Sequence, residues 1–102
     1  MKHKVIFLDR DGVINKPAPQ HDYIKSWEEF EFLPGAIEGL KILYDLGYKL
    51  VIVTNQRGIA RGMLSWDKLN EIHEKMQEVL KQNGVIIDHI FVCPHDESDN
   101  CN

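Results

Sequence analysis

The chain has 102 residues, 43% of them hydrophobic and 27% charged, a composition typical of one small globular domain. Its net charge of −4 argues against nucleic acid or an anionic membrane surface as a partner, because no basic stripe is available to neutralise phosphates. An anionic substrate is not excluded, since a bound divalent cation can reverse the local field.

The chain begins with an apolar segment and a long irregular one. Residues 4–8 predict a strand buried on both faces, as in a parallel sheet, and this apolar run is too short for a signal peptide or a membrane span. We therefore expect a cytoplasmic protein. Residues 13–33 show no sustained period, and we expect this excursion to be attached to the body by its aromatic side chains, Trp27, Phe30 and Phe32.

Two helices and two further strands follow. Pro34 and Gly35 precede a helix that Gly47 is expected to cap, and residues 50–53 form a second buried strand. After a loop that contains two glycines, Ser65 is expected to cap a second helix. The inward stripe of that helix is Leu69, Ile72, Met76, Val79 and Leu80.

Residues 86–92 predict a third strand, so the order is strand, helix, strand, helix, strand. This order describes two right-handed crossover units, and we predict an α/β fold with three parallel strands. Ligands of such sheets bind beyond the carboxyl ends of the strands. The sequence places Asp9-Arg10-Asp11-Gly12 after the first strand and Thr54-Asn55-Gln56 after the second.

The aspartate pair is the strongest chemical signal. On an extended segment, Asp9 and Asp11 would face one site while Arg10 turns away. Two close carboxylates repel each other unless a cation or a shared proton intervenes, and Mg²⁺ is the natural fit. A D-x-D pair alone is more often a solvated acidic turn, and a calcium loop is a poorer alternative because glycine follows too early.

The longer strings are more specific than the pair. Residues 7–15 read FLDRDGVIN, residues 53–62 read VTNQRGIARG, and residues 93–95 read CPH. With these strings the chain resembles the haloacid dehalogenase superfamily, in the branch of heptose 1,7-bisphosphate 7-phosphatases and histidinol phosphatases. The resemblance implies a Rossmann-like, three-layer α/β fold. It covers residues 1–102 as a partial phosphatase domain, with a flap loop at 13–34 and a zinc-type loop at 93–102.

The resemblance also implies roles for individual residues. Asp9 would be the nucleophile, forming an aspartyl-phosphate, and Asp11 the general acid and base. The Asp9 carboxylate and the Asp11 backbone carbonyl would ligate Mg²⁺, and that ion would withdraw charge from the phosphate. Thr54 and Asn55 would hold phosphoryl oxygens, with Gln56 as a further substrate-binding residue.

Other polar residues carry weaker signals. Arg57 and Arg61 follow the second strand and are candidate substrate contacts, although loop arginines are usually solvated charges. In the flap, Lys16, Gln20, His21 and Tyr23 are candidate contacts to the distal part of the substrate. We assign no function to three histidines, His3, His73 and His89.

Cys93, His95 and Cys101 supply three of the four ligands that structural Zn²⁺ takes. In a chain expected to be cytosolic, they indicate a metal site more than a disulfide, and the resemblance implies a zinc loop here. The fourth ligand would follow Asn102, so the site could be incomplete.

The superfamily pattern also contains a charge-balancing lysine and a later acidic pair, which residues 1–102 do not include. We therefore expect a truncated chain whose first strand is an exposed edge, able to associate with a second copy. The predicted function is a phosphatase for a small phosphorylated metabolite. A heptose 1,7-bisphosphate is favoured, and histidinol phosphate is the alternative. A hypothesis from another class is an inactive fragment that binds phosphate or metal.

Overall fold

The computed structural model describes residues 4–19 and 22–94. Within them, three strands form one parallel sheet in the order β1, β2, β3; the strands are β1 (Lys4–Leu8), β2 (Tyr48–Asn55) and β3 (Ile87–Cys93). The helices are α1 (Ala36–Asp45), the short α2 (Arg57–Ala60) and α3 (Trp66–Gln82), and a 3-10 helix covers Trp27–Glu29. The predicted α/β class and element order are confirmed. Both the 3-10 helix and α2 lie in segments that the sequence predicted to be irregular.

The helices end where the sequence places their signals. Gly47, just after α1, has φ of +96°, a left-handed conformation that glycine adopts without steric cost. At the start of α3, the Ser65 hydroxyl accepts a hydrogen bond of 3.2 Å from the main-chain N–H of Lys68, as predicted. In the described part of the chain, no helix combines the length and apolar character that a membrane crossing requires.

The hydrophobic core lies on one face of the sheet. Leu50 and Ile52 of β2 are fully buried and belong to the same cluster as Leu40 of α1 and Leu69 and Met76 of α3. Because alternate residues of a strand point to opposite faces, both long helices cover the same face. The described residues therefore supply the sheet and one helical layer.

The opposite face of the sheet is largely exposed within the described residues, although Val51 of the central strand is buried. Val5 is 46% and Phe7 66% exposed on β1, and Val53 and Phe91 are also exposed. The prediction that β1 is buried on both faces is wrong. The strand lies at the edge of the described sheet and packs its alternate residues, Ile6 and Leu8, against the single core.

Aromatic side chains attach the excursion after β1 to the body, as predicted. Phe30 is buried in the core, and Trp27 and Phe32 pack against the core. The ring centroids of Trp27 and Phe30 are 5.0 Å apart, as are those of Phe30 and Phe32, which is within the range of favourable aromatic pairs. This cluster fixes the loop beside the carboxyl end of β1.

Candidate active site

A tight turn follows β1 and separates the two aspartates. The chain bends at Arg10, and the carbonyl of Arg10 accepts hydrogen bonds from the main-chain N–H groups of Ile14 at 2.7 Å and of Asn15 at 3.2 Å. Gly12 makes the turn possible with φ of +85°, which side chains rarely tolerate. The extended geometry expected for Asp9 to Asp11 is therefore wrong, since the segment leaves the sheet at Leu8.

Asp9 lies at an open cavity between the strand tips. Its exposed carboxylate accepts a hydrogen bond of 2.8 Å from the main-chain N–H of Arg10. The cavity has a volume of about 320 Å³, and we call it the Asp9 cavity. Thr54 and Asn55 of β2 line it together with Cys93 of β3. The structure thus brings the predicted nucleophile together with both predicted phosphate ligands.

Asp11 has very different surroundings. Its Oδ1 accepts hydrogen bonds from Arg10 Nη2 at 2.7 Å and from Asn15 Nδ2 at 2.9 Å, and its Oδ2 accepts one from Gln56 Nε2 at 3.0 Å. The side chain of Asp11 is 32% exposed. Donors on both oxygens fix the orientation of a carboxylate. Asp11 is therefore held firmly while it keeps access to solvent.

Asp11 opens onto a second cavity, of about 240 Å³, which we call the Asp11 cavity. Tyr23 and Arg57 line it, and Asn55 lines both cavities. The two aspartates therefore approach the tip of β2 from two sides of Asn55. Asp22, which sequence reasoning did not single out, also lines this cavity, and no pattern around it marks it as functional.

Gln56 and Arg61 differ from the other predicted substrate contacts. Gln56 is buried, and its Nε2 donates to Asp11 and also to Thr54 Oγ1 at 2.8 Å. Its amide therefore serves the protein's own side chains. Arg61 lies exposed in the turn after α2 and lines neither the Asp9 cavity nor the Asp11 cavity. Direct substrate contacts from these two residues stay predictions.

Sequence reasoning missed a contact between the first turn and α3. Arg10 is completely buried, and its Nη1 lies 3.1 Å from Nε2 of His73. Arg10 lines neither the Asp9 cavity nor the Asp11 cavity, which agrees with the prediction that it turns away from the site. Its guanidinium nevertheless donates a hydrogen bond to Asp11. The sequence did contain an indication of this contact. Position 73 lies next to the predicted inward stripe of α3, and a buried histidine requires a hydrogen-bond partner.

The burial of His73 changes its acid-base behaviour. Desolvation, followed by the nearby charge of Arg10, lowers the pKa of His73 to about 4, and the Asp11 carboxylate opposes this in part. The ring is therefore neutral at pH 7. A neutral ring can accept a hydrogen bond at Nε2 when its proton is on Nδ1.

The predicted zinc ligands are largely outside the described residues. His95 and Cys101 lie there, as do His3, Gln20 and His21. Cys93 is described, ends β3 and is disulfide-bonded in this structure, contrary to the expectation of a metal site, since a zinc ligand must be a free thiolate. Among residues 4–19 and 22–94, no group of three or more histidine, cysteine or acidic side chains is placed to hold a metal. Zinc ligation stays a prediction for the reduced form of the chain.

The residues at the tip of β1 fit Mg²⁺ in chemical type. Mg²⁺ is held by one or two carboxylates and completes its octahedron with water and phosphate oxygens. Asp9 offers an exposed carboxylate at the mouth of a cavity, while Asp11 has donors on both of its oxygens. Asp9 is therefore the better carboxylate ligand of the two.

Comparisons with known proteins identify the family and the relatives of this chain. The sequence profile of the family described as polynucleotide kinase 3 phosphatase matches residues 4–98. A D-glycero-alpha-D-manno-heptose-1,7-bisphosphate 7-phosphatase of Mycobacterium tuberculosis is 45% identical over 96 residues, which are 94% of this chain and 50% of the relative. A D-glycero-beta-D-manno-heptose-1,7-bisphosphate 7-phosphatase of Bordetella bronchiseptica is 42% identical over 96% of this chain and 54% of the relative.

A solved structure shows the same fold. The D,D-heptose 1,7-bisphosphate phosphatase from B. bronchiseptica, crystallised with magnesium and phosphate, has a TM-score of 0.89 and 42% identity. The match covers 96% of this chain and 54% of that one. The resemblance drawn from the strings around Asp9 and Asn55 is thereby confirmed. The chain spans about half the length of the curated relatives that it matches.

Proposed function

Because the chain belongs to the polynucleotide kinase 3 phosphatase family, we propose that it carries the nucleophile and the general acid of a phosphatase for heptose 1,7-bisphosphate. The relatives named above act on that sugar bisphosphate by their names. The net charge of −4 disfavours a polynucleotide substrate, because such substrates are bound by basic surfaces. A small anionic sugar held through a metal ion agrees better with this charge.

The observation that carries the proposal is the placement of the two carboxylates. Asp9 and Asp11 line two cavities that have Asn55 as a common lining residue. One carboxylate is exposed and the other is oriented by three side chains. Pairs of acidic groups with different surroundings are suited to different roles in one reaction.

The residues divide the chemistry as follows. An oxygen of Asp9 forms a bond to phosphorus while the bond from phosphorus to the sugar oxygen breaks, and Asp11, which enters this step in its protonated form, donates its proton to that oxygen and becomes ionised. Water then attacks phosphorus, Asp11 accepts its proton, and the bond to Asp9 breaks to release phosphate. Mg²⁺, when bound, supplies positive charge that offsets repulsion between the anionic nucleophile and the phosphate.

Thr54 is prepared to contact the phosphoryl group. Its Oγ1 accepts a hydrogen bond of 2.8 Å from Gln56 Nε2, so the hydroxyl proton of Thr54 is directed elsewhere. Thr54 lines the Asp9 cavity beside Asn55. Preorganised donors of this kind stabilise charge that develops on the transferring group.

The experiment is phosphate release in the presence of Mg²⁺ from three substrates: the alpha and beta anomers of D-glycero-D-manno-heptose 1,7-bisphosphate, and histidinol phosphate. We expect turnover of a heptose bisphosphate, and Asp9→Asn to lower it by about 10⁴-fold or more, as for loss of other catalytic nucleophiles. Full turnover by Asp9→Asn would refute the mechanism. Preference for histidinol phosphate would transfer the assignment to the alternative substrate.

A non-catalytic role is the competing outcome. It predicts Mg²⁺-dependent binding of inorganic phosphate without release of phosphate from any ester. Isothermal titration with phosphate and Mg²⁺ measures the binding that both hypotheses predict, and the phosphate-release assay distinguishes them, because only the enzyme predicts turnover.

Three finer predictions belong to this proposal: a cytoplasmic location, Zn²⁺ at Cys93, His95 and Cys101, and self-association. Metal analysis of the purified chain tests the zinc prediction, which stoichiometric zinc would support. The exposed residues Val5 and Phe7 on β1 support self-association, because an exposed apolar edge strand can pair with another chain. Analytical ultracentrifugation would detect the dimer, and a monomer at high concentration would contradict it.

A further inference from the structure

Arg10 forms a bridge between α3 and the turn after β1. Its Nη1 is 3.1 Å from His73 Nε2, while Nη2 and Nε lie 2.7 and 3.3 Å from Asp11 Oδ1. The guanidinium is completely buried and lies 5.8 Å from the ring centroid of Phe30. A planar group held on one side by an imidazole and on the other by a carboxylate has little freedom to rotate.

His73 is the element of this bridge that the reaction does not otherwise use. It is 7% exposed on the inward side of α3, where an apolar residue would complete the core. Burial and the neighbouring guanidinium lower the pKa of His73 to about 4, so the ring is neutral and its Nε2 can accept from Arg10. A leucine at this position would leave the buried Nη1 group without an acceptor, which is unfavourable.

The Arg10 bridge contacts Asp11, the candidate general acid, at one of its two carboxylate oxygens. Asp11 Oδ1 receives Arg10 and Asn15, and Oδ2 receives Gln56. Asn15 is completely buried and Gln56 nearly so, and these two residues belong to the turn and to the end of β2. Displacement of Arg10 would leave Oδ1 with one neutral side-chain donor, from Asn15, and would remove the charge-assisted bonds, which are the stronger ones, so the carboxylate would be held less firmly.

We propose that His73 and Arg10 are positioning residues: the neutral ring of His73 aims the Arg10 guanidinium, which in turn fixes the Asp11 carboxylate at the wall of the Asp11 cavity. The catalytic part of this inference rests on the proposed function, in which Asp11 transfers the proton. The interaction of His73 with Asp11 is indirect, through one intervening side chain.

The first test compares His73→Leu with His73→Gln. Leucine removes the acceptor, whereas the glutamine carbonyl oxygen can accept from Arg10. With an alkyl phosphate ester such as the heptose bisphosphate, we expect His73→Leu to lower kcat about 10-fold, the lower end for loss of a supporting hydrogen bond, with KM changed less than about 2-fold. We expect His73→Gln to restore most of the loss. His89→Leu, on exposed β3, is the matched control and should retain activity.

The second measurement separates positioning from a purely structural role. p-Nitrophenolate is a stable anion and leaves without a proton, so the first step with p-nitrophenyl phosphate does not need Asp11 as an acid. We expect the pre-steady-state burst of p-nitrophenol to be nearly unchanged in His73→Leu while turnover of the alkyl ester falls. An equal loss with both substrates, or no loss, would overturn the proposal. If His73→Leu does not fold, Arg10→Lys is measured in the same way.

A third measurement does not depend on turnover. In ¹H–¹⁵N spectra at pH 7, we expect slowly exchanging guanidinium resonances of Arg10 in the wild type, in His73→Gln and in His89→Leu, and their loss in His73→Leu. If the Arg10 guanidinium protons of the wild type exchanged as fast as those of a solvated arginine, the proposed bridge would be refuted. A wild-type chain without turnover would refute the proposed function instead, and the exchange data would then decide by themselves whether the bridge exists.

Discussion

The two aspartates of the site lie two residues apart and have opposite surroundings. Asp9 is exposed and accepts a hydrogen bond from the main-chain N–H of the next residue. Asp11 accepts from the side chains of three residues, Arg10, Asn15 and Gln56. A nucleophile needs open access to phosphorus, whereas a proton carrier must lie within hydrogen-bond distance of the oxygen that it serves. The difference teaches that surroundings, and not residue type, assign the two roles.

The first prediction concerns the stability of the chain at acidic pH, which depends on His73, the residue bonded to Arg10 beside Asp11. The pKa of His73 is about 4 in the folded chain and about 6.5 in the unfolded chain. Between these values the unfolded chain binds a proton that the folded chain does not, so stability falls as pH falls. This histidine should account for a loss of about 2 to 3 kcal/mol between pH 7 and pH 4.5, measured by urea unfolding.

The control for that experiment is His73→Gln, which does not titrate. Carboxylates also contribute to acid unfolding, and Lys25 holds the pKa of Asp22 below its ordinary value. The difference between wild type and variant removes such contributions. The groove beside His73 also contains Glu74, Asp88 and His89. Equal pH dependence of the stability of the two proteins would show that these groups cancel the effect of burial on the pKa of His73.

The second prediction compares the two carboxylates directly. Asp11→Asn removes the charge that is paired with buried Arg10, and breaking a buried ion pair is destabilising. Because the Asp11 side chain is partly exposed, we expect a loss of about 2 kcal/mol, below the range for fully buried pairs. Asp9→Asn should change the free energy of unfolding by less than about 0.5 kcal/mol, as at other exposed positions. Chemical denaturation measures both variants. Equal losses of stability would show that the two aspartates do not differ in how they are held.

The third prediction concerns the wall of the Asp11 cavity. A Cβ at Gly58 would lie 3.1 Å from Tyr23 Cγ and 3.2 Å from Leu64 Cβ, so Gly58→Ala must displace a neighbour. We expect a loss of about 1 kcal/mol from overpacking and a raised KM, because Tyr23 lines the cavity.

Gly39→Ala is the matched control. Nothing lies within 4 Å of a Cβ there, and the residue is in α1. Alanine should therefore stabilise the chain by about 0.5 to 1 kcal/mol. Thermal unfolding measures both variants, and a neutral Gly58→Ala would show that Tyr23 moves without cost.

The local elements could be predicted from the sequence because their signals are local. Ser65 caps α3 and Gly47 follows α1 as their residue types indicate. The sequence did not predict that α2 would form between Gln56 and Arg61, because a helix of four residues has no apolar period. It also misjudged the burial of Val5 and Phe7, since an apolar strand has the same sequence whether one face is covered or two.

The sequence by itself determined the fold class, the order of the strands along the chain and the edge of the sheet at which Asp9, Thr54 and Asn55 lie together, because strand ends converge at one edge of a parallel sheet. Only the tertiary structure decided how each aspartate is held. The contact from His73 to Arg10 joins positions 63 residues apart, and no periodicity encodes such a pair. It arises when the packing of α3 on the sheet presents one buried acceptor to one buried donor.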